Sequence, residues 1–309
     1  MKILVTGGAG FIASHIVDLL VDLGHYVAIL DNFSTGKNEN VNARAKVYKM
    51  DILDDRTADI FLEFEPDIVI HHAAQIDIQS SIKDPAFDAT TNIVGTVKLL
   101  ENCKKTGVKK IIYASSAAVY GDPRYLPVDE YHPVRPLSYY GISKHTPEHY
   151  IEVFSTQNDI DYTILRYANV YGTRQDPKGE GGVVSIFIDK IMDKAQPIIF
   201  GDGEQTRDFI YVKDVARANI AALDKGSKGI YNISCNTQTS VNELLNMISE
   251  ASNVKVVPGY REVRSGDILH SFLDNTSAMK DLNWEPRYSL RDGLQETCDY
   301  YLTHSINNN

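Results

Sequence analysis

The sequence has little cysteine, an excess of negative over positive charge and no long apolar run. Its 309 residues include three cysteines, Cys103, Cys235 and Cys298, whose wide spacing and odd number form neither a metal-binding motif nor a disulfide framework. We therefore expect a reducing, cytoplasmic location and predict no metal site. The net charge of −10 argues against nucleic acid or an acidic membrane surface as the main partner. No apolar run approaches the ~18 residues of a membrane span, and no signal peptide is predicted.

Predicted strands and helices alternate along the first half of the chain. Short, continuous apolar runs are followed by stretches with the apolar period of a helix. Continuous apolar strands are typical of a parallel sheet that helices cover on both faces. The predicted fold is therefore α/β, a doubly wound Rossmann-type parallel sheet, with its clearest strands at 3–5, 26–30, 67–71, 109–114 and 162–166.

A glycine-rich turn follows the first predicted strand. Thr6-Gly7-Gly8-Ala9-Gly10 leads into a helix, and Asp31 ends the next predicted strand about 20 residues later. Glycines let the backbone turn tightly against a pyrophosphate, which the free N–H groups of the helix N-terminus can bind. The Asp31 carboxylate would accept hydrogen bonds from a ribose diol and repel a 2′-phosphate. This unit therefore predicts NAD, rather than NADP, as the cofactor.

Beyond about Arg174 the alternation becomes irregular, which predicts a second and smaller α/β lobe. This part carries arginines in polar settings, which suit forked contacts with phosphate groups. A helix at 214–223 and a strand at 230–233 are expected to return to the sheet, and a strand is predicted at 255–257. The predicted division is an NAD-binding Rossmann domain at 1–174, rejoined by 205–235, and a substrate-binding lobe at 175–204 and 236–309.

The stretch 115–144 carries the candidate catalytic groups. If a helix begins near Tyr140, then Tyr140 and Lys144 lie one turn apart on the same face. A phenol beside an ammonium suits proton transfer, because the positive charge is expected to lower the pKa of the phenol toward neutral pH. Ser116, at the end of the preceding predicted strand, could bond the same substrate oxygen. Taken alone, such a pair is more often a packed tyrosine and a solvated lysine.

Polar or small residues that follow the predicted strands support the catalytic interpretation. In doubly wound sheets, ligands bind at the carboxyl ends of the strands. Residues after five strands are therefore expected to gather at one edge of the sheet, namely Gly7, Asp31, His72, Ser116 and Asn169.

In combination, the motifs resemble the extended short-chain dehydrogenase/reductases, and among them the sugar-nucleotide 4-epimerases. One departure is Ala13, where most members have glycine, and its one additional methyl group is not expected to prevent NAD binding. The resemblance covers nearly the whole chain and rests on Thr6-Gly7-x-x-Gly10-x-x-Ala13, Asp31, His72-Ala73-Ala74-Gln75, Ser116-x-x-x-Tyr120-Gly121, Tyr140-x-x-x-Lys144, Arg166-Tyr167-x-Asn169-x-Tyr171-Gly172, Arg207-Asp208-Phe209 and Arg264-x-Gly266-Asp267.

The resemblance implies a permanently bound NAD, a UDP-sugar substrate and a homodimer that pairs the predicted helices at 91–105 and 140–157. It implies Ser116, Tyr140 and Lys144 as catalytic residues. The implied NAD-binding residues are Gly7, Gly10, Phe11, Ile12, Asp31, Asn32, Asp51, Ile52, Ala73, Ala74, Gln75, Asn92, Ser115, Tyr140, Lys144 and Tyr167. The implied substrate-binding residues are Ser116, Tyr140, Asn169, Val183, Arg207, Arg264, Asp267 and Ser271.

The residues after Ser116 indicate which reaction the resemblance implies. Dehydratases of the family usually place an acid pair there, and decarboxylases a glutamate, whereas this chain has Ala117-Ala118. Without that acid, the expected reaction is removal and return of a hydride at C4 of UDP-glucose or UDP-galactose. A tyrosine accompanies hexose-only enzymes at the position of Ser271, so the small serine is expected to admit UDP-GlcNAc and UDP-GalNAc as well.

Alternative functions use the same machinery. A 4-epimerase of a UDP-uronic acid or a UDP-pentose, or a sugar-nucleotide reductase, would retain every motif quoted above. A non-catalytic NAD-binding regulator is disfavoured because Ser116, Tyr140 and Lys144 are all present.

Overall fold

Strands of the chain form one large sheet and three two-stranded pairs. The structure, a computed structural model, describes residues 1–177, 182–263 and 266–306, the last three as backbone alone. The strands are β1 (Lys2–Thr6), β2 (Tyr26–Asp31), β3 (Lys46–Lys49), β4 (Ile68–His71), β5 (Lys110–Ser116), β6 (Asp161–Tyr167), β7 (Asn169–Tyr171), β8 (Ile198–Phe200), β9 (Thr206–Arg207), β10 (Phe209–Tyr211), β11 (Gly229–Ile233), β12 (Thr239–Ser240) and β13 (Gly259–Arg261).

Helices cover both faces of the large sheet and contribute to a further apolar cluster. None of the helices in the described ranges is long and apolar enough to cross a bilayer. The α-helices are α1 (Phe11–Asp22), α2 (Thr57–Phe64), α3 (Ile78–Lys83), α4 (Pro85–Ala89), α5 (Gly95–Thr106), α6 (Tyr139–Asn158), α7 (Val183–Met192), α8 (Val212–Ala221), α9 (Val241–Ser252), α10 (Thr276–Asp281) and α11 (Leu290–Ile306).

The large sheet has seven parallel strands in the order β11-β6-β5-β4-β1-β2-β3. This arrangement confirms the predicted Rossmann-type fold. The strand order reverses beside β1, which pairs with β2 on one side and β4 on the other. A crevice therefore opens at the carboxyl ends of β1 and β4, where doubly wound sheets bind their ligands.

Alternate side chains of each central strand enter two separate apolar layers. Val5 and Ile29 pack into the layer that contains α1 and α8, whereas Leu4 and Leu30 pack into the layer that contains α2 and α5. All four side chains are fully buried. Because both faces are covered, the strands read as continuous apolar runs rather than as alternating ones.

A further apolar cluster and three strand pairs lie outside the large sheet. Phe187 of α7, Leu244 of α9 and Leu294 of α11 meet in this cluster. The strands pair as β7 with β10, β9 with β12, and β8 with β13. Strand β11, at Gly229–Ile233, pairs in parallel with β6 at the edge of the large sheet. The division of the chain into the two predicted domains remains a prediction.

Three local features differ from the sequence prediction. The strand predicted at 255–257 is wrong, because Gly259–Arg261 pairs with β8 instead. Pro258, which has no N–H, precedes the true strand, and Val257 is largely exposed. The helix predicted at 91–105 begins as a π-helical segment, Thr90–Val94, before it continues as α5. The short helices α3 and α4 were not predicted.

Candidate active site

The glycine-rich loop after β1 closes tightly against the loop after β4. Gly7 has φ +68°, and a side chain there would place its Cβ 2.8 Å from the backbone nitrogen of Ala73. Gly10 caps α1 without any side-chain hydrogen bond to the free N–H groups of the first turn, which includes Phe11 and Ile12. The loop therefore offers a close backbone approach and a helix N-terminus, the two features that a dinucleotide pyrophosphate requires.

Thr6 and His71 form the floor of this crevice. The Thr6 hydroxyl lies 2.7 Å from His71 Nδ1 and accepts a 3.1 Å hydrogen bond from the Ala73 backbone N–H. The other ring nitrogen of His71 lies 2.9 Å from the Thr96 hydroxyl. Burial lowers the pKa of His71 to about 3, so the ring is neutral and serves as a bridge between β1, β4 and α5.

Asp31 is held in place by backbone donors at the end of β2. Its carboxylate accepts hydrogen bonds from the backbone N–H groups of Ala9, at 2.9 Å, and Phe33, at 2.7 Å. The remaining acceptor positions suit a ribose diol. Lys37, the nearby cation, is paired with Asp176 at 3.1 Å. This local charge pattern favours NAD over a cofactor with a 2′-phosphate.

Several predicted NAD-binding residues have their polar atoms bound within the protein. Asn92 accepts from the Gln75 backbone N–H at 2.7 Å and donates to Ser143 at 2.9 Å. Ser115 donates to Glu148 at 2.5 Å. The Tyr167 hydroxyl lies 3.0 Å from His72 Nε2 and 2.8 Å from Asn219 Nδ2. The Asn32 side chain donates to the Asp51 carboxylate at 2.7 Å. These groups position the loops around the crevice, and Ile52 is buried beside them.

Ser116, Tyr140 and Lys144 come together at the carboxyl end of β5. Ser116 ends the strand, and its hydroxyl lies close enough to the Tyr140 phenol to lower the pKa of that phenol. The ammonium group of Lys144 lies over the ring of Tyr113, 4.7 Å from its centroid. Ser138 fixes the start of α6 by accepting a 3.0 Å hydrogen bond from the Gly141 backbone N–H. The three groups predicted to be catalytic therefore lie at the end of β5 and in the first turns of α6.

Burial, rather than the neighbouring ammonium, determines the pKa of Tyr140 in the protein alone. Desolvation raises the pKa of Tyr140 above its ordinary value, and the nearby Ser116 hydroxyl opposes this only in part. Burial also lowers the pKa of Lys144 to about 8, although the carboxylates of Glu148 and Asp88 act in the opposite direction. In the protein alone, both groups are therefore pushed toward their neutral forms, whereas the sequence predicted that the ammonium would lower the pKa of the phenol.

A buried ionic network beneath the site was missed by the sequence reasoning. Glu148, one turn beyond Lys144 on α6, forms a double hydrogen bond with Arg166 at 3.0 and 2.6 Å. Arg166 also donates to the Tyr120 hydroxyl at 3.0 Å, which in turn donates to Asn232 at 2.7 Å. The available signal was the Lys144-x-x-x-Glu148 spacing, which places the carboxylate on the same helix face as the catalytic pair.

Part of the predicted substrate set gathers around β9. Arg207 donates to the Thr206 carbonyl at 2.7 Å, and the Ser271 backbone N–H donates to the same carbonyl at 3.2 Å. Burial lowers the pKa of Arg207, and the Asp267 carboxylate opposes that effect. Asn169 joins them, because its backbone N–H donates to the Asp208 carbonyl at 2.9 Å. Val183 begins α7, and Arg264 lies outside the described residues.

The segment that follows Ser271 is attached to the large sheet. Leu273 bridges to Val128, its carbonyl accepts from the Ser234 hydroxyl at 3.0 Å, and its N–H donates to the buried Asp208 at 3.3 Å. The carbonyl of Asp274 accepts from the Asn232 amide at 3.1 Å. The backbone beside Ser271 is thus held by several independent hydrogen bonds.

A doubly wound sheet with a glycine-rich loop and a Ser-Tyr-Lys set at its carboxyl edge defines a class of nucleotide-dependent oxidoreductases and epimerases. Residues 3–234 match the model of the NAD dependent epimerase/dehydratase family. The chain belongs to this family, and the membership predicted from its motifs is confirmed.

Individual members of the family are similar to the chain over almost its whole length. The UDP-glucose 4-epimerase of Mycolicibacterium smegmatis is 39% identical, and the match covers 99% of this chain and 100% of that protein. The crystal structure of the Thermotoga maritima UDP-glucose 4-epimerase with UDP-glucose has a TM-score of 0.97 and 44% identity, covering 99% and 100% of the two chains. The UDP-N-acetylglucosamine 4-epimerase of Methanobrevibacter ruminantium has a TM-score of 0.93 and 36% identity, covering 98% of each chain.

Proposed function

We propose that the chain is an NAD-dependent isomerase that inverts C4 of a UDP-hexose and interconverts UDP-glucose and UDP-galactose through a transient 4-keto sugar. The observation that carries the proposal is the placement of Ser116 at the carboxyl end of β5, with Tyr140 in the first turn of α6 and the buried Lys144 one turn further on. The names of the relatives from M. smegmatis and T. maritima support the same reaction.

The chain's own residues supply the proton transfer and the orientation of the sugar. Tyr140 takes the proton of the C4 hydroxyl and returns it after the sugar has turned, which is general acid/base catalysis. Ser116 hydrogen-bonds the same oxygen, and Lys144 adds positive charge from within the protein. NAD, when bound, supplies the acceptor and donor of the C4 hydride together with a positive charge that favours the tyrosinate.

Inversion requires a firm hold on UDP and a looser hold on the hexose. Arg207 is suited to the diphosphate because its guanidinium is partly buried and the carboxylate that acts on its pKa, Asp267, is exposed. Asn169 lies beside it, and we assign Arg264 and Val183 to the same substrate set by family resemblance. The hexose can then rotate at its own end of the site while the nucleotide stays in place.

We further propose that 2-acetamido sugars are substrates. Ser271 is small and only partly buried, so it leaves room where a larger side chain would fill the hexose pocket. The relative from M. ruminantium is a UDP-N-acetylglucosamine 4-epimerase, which supports the same breadth.

An NMR time course with UDP-galactose, UDP-GalNAc, UDP-galacturonate and UDP-arabinopyranose tests the proposed reaction. We expect UDP-galactose to be converted to UDP-glucose and UDP-GalNAc to UDP-GlcNAc. The Tyr140→Phe variant is expected to lose at least about 10²-fold in turnover because the proton acceptor is removed. Unchanged turnover in that variant would contradict the mechanism. Turnover of the uronic acid or the pentose alone would favour the alternative 4-epimerases.

A homodimer in the cytoplasm is the assembly and location that we infer. Apolar side chains, Ile142, Tyr150 and Val153 of α6 and the adjacent Val94, are exposed in the single chain. A second copy packed on this face would bury them. The three cysteines are unpaired, as is usual in a reducing compartment.

A further inference from the structure

Asp208 is a buried carboxylate between the strands β9 and β10. It separates Arg207, the last residue of β9, from Phe209, the first residue of β10. Asp208 is 2% exposed, whereas Arg207 is only partly buried. Burial raises the pKa of Asp208 to about 6, and hydrogen bonds from backbone N–H groups act in the opposite direction. At neutral pH the group is therefore a carboxylate inside the protein.

Two separate segments donate backbone N–H groups to the two oxygens of this carboxylate. The N–H of Cys235, just after β11, donates to Oδ1 at 2.9 Å, and the N–H of Leu273 donates to Oδ2 at 3.3 Å. The two segments also bond each other, because the Ser234 hydroxyl donates to the Leu273 carbonyl at 3.0 Å. Asp208, residues 234–235 and Leu273 thus form a closed ring of hydrogen bonds, called here the Asp208 ring.

The backbone around Asp208 connects this ring to the proposed substrate residues. The Asp208 carbonyl accepts a 2.9 Å hydrogen bond from the backbone N–H of Asn169. In the preceding residue pair, the Thr206 carbonyl accepts from the Arg207 guanidinium at 2.7 Å and from the Ser271 backbone N–H at 3.2 Å. The segments that carry Asn169, Arg207 and Ser271 therefore all meet at this one position of the chain.

The chemistry of the ring requires a carboxylate at Asp208. An ionised carboxyl group offers two acceptor oxygens, whereas the amide of an asparagine offers one oxygen and an NH₂ group that would face the second N–H donor. A buried charge costs stability unless its hydrogen bonds are satisfied. A buried polar network whose members are all satisfied holds its parts in one arrangement. The Asp208 ring is therefore suited to fixing three backbone segments relative to one another.

We propose that Asp208 is a positioning residue of the UDP-sugar site, which holds the segments of Asn169, Arg207 and Ser271 in the arrangement that binds the nucleotide. This inference rests on the proposed function, which assigns these three residues to the substrate. Asp208 acts through its neighbours, and the proton transfer of Tyr140 takes place at the end of β5. Loss of the carboxylate therefore affects binding of UDP more than the chemical step.

Asp208→Asn, compared with the wild type in the NAD-saturated protein, tests this role. We expect the Kd of UDP in calorimetric titration and the KM of UDP-galactose to rise about 10-fold, with kcat changed less than about 2-fold, because binding shared by substrate and transition state is lost. In hydrogen–deuterium exchange, we expect faster exchange of the backbone amides of Cys235 and Leu273, which lose an acceptor.

Asp214→Asn is the matched control. Asp214 is also buried, and its carboxylate accepts 3.0 Å hydrogen bonds from the backbone N–H groups of Arg287 and Tyr288. We expect this variant to lose stability while the Kd of UDP and the KM of UDP-galactose stay at their wild-type values. An equal rise of these constants in both variants, or an unchanged Kd of UDP in Asp208→Asn, would overturn the proposal.

Ser234→Ala is a milder variant that opens the same ring and leaves the carboxylate of Asp208 in place. It decides the question if Asp208→Asn is recovered unfolded. We expect about 3-fold weaker UDP binding from the loss of one hydrogen bond, and an unchanged Kd would again contradict the proposal. A wild-type protein that binds UDP and converts no UDP-sugar would contradict the proposed reaction alone, since the UDP affinities still decide the role of Asp208. A wild-type protein that does not bind UDP would overturn both.

Discussion

Burial of Lys144 gives the stability of the protein a specific dependence on pH. The pKa of Lys144 is about 8 in the folded protein against 10.5 ordinarily, so the unfolded chain binds more protons between these values. The free energy of unfolding gains from this group as the pH rises from 8 to 10.5, by about 3 kcal/mol in total. Lys144→Met removes this contribution. In urea unfolding of the cofactor-free proteins, we expect wild-type stability to rise relative to the variant over that window, and parallel profiles would contradict the assignment.

Glu148, the ion-pair partner of Arg166, is the second residue whose substitution is expected to change the free energy of unfolding strongly. Glu148→Gln leaves the buried guanidinium without its partner and is expected to cost about 3–5 kcal/mol in urea unfolding. Burial raises the pKa of Glu148, but His145, Arg166 and Ser115 outweigh this effect and lower the pKa to about 2. The contribution is therefore present above pH 4.5 and is lost as the pH falls toward 2.

A surface ion pair provides the control for that measurement. Glu250 and Arg291 are 2.9 Å apart, with side chains that are 61% and 71% exposed. Glu250→Gln is expected to cost less than about 1 kcal/mol, because solvent screens exposed pairs. Equal costs for the two substitutions would show that the buried pair has no special role.

At the residue scale, the sequence predicted which groups meet but not how they titrate. The order of motifs was sufficient to place Ser116, Tyr140 and Lys144 together. The sign of the pKa shift of Tyr140 depends on how completely the surrounding chain excludes water, which no local pattern records. For the same reason, the protein-bound state of Asn92 and Ser115 was not foreseen.

At the element scale, the hydroxyl of Ser138 positions the catalytic helix. Ser138→Ala removes the N-cap of α6 and is expected to cost about 1 kcal/mol of stability. Turnover is expected to fall as well, because Tyr140 lies in the first turn. The matched control is Ser240→Ala, which removes the N-cap of α9 at a similar cost in stability. Chemical unfolding and turnover measured on both variants would separate the effects, and equal turnover would contradict this role.

Strands made of a continuous apolar run were predicted well, whereas the short helices α3 and α4 and the short strand β13 were not. The first two strands follow from their composition, since covered parallel strands need apolar residues on both faces. Helices α3 and α4 have six and five residues, too few for a clear helical period. The strand β13 owes its position to its pairing with β8, a contact that is distant in sequence.

At the scale of the whole molecule, the exposed apolar face of α6 is expected to control assembly. Val153→Glu places a charge on that face and is expected to convert the proposed dimer to a monomer in sedimentation velocity. Leu62→Glu is the control, because Leu62 is an exposed apolar residue of α2, away from this face. A dimer that persists in Val153→Glu would place the interface elsewhere.

The attachment of the segment after Ser271 to the sheet has a consequence for how the sugar preference of the enzyme can change. Leu273 and Asp274 are anchored to Val128, Ser234 and Asn232, so this stretch of backbone follows the sheet. If Ser271 lines the hexose pocket as proposed, exchanging its side chain would change the size of that pocket without moving the backbone. New sugar preferences would then arise by single substitutions that leave the nucleotide-binding residues unchanged.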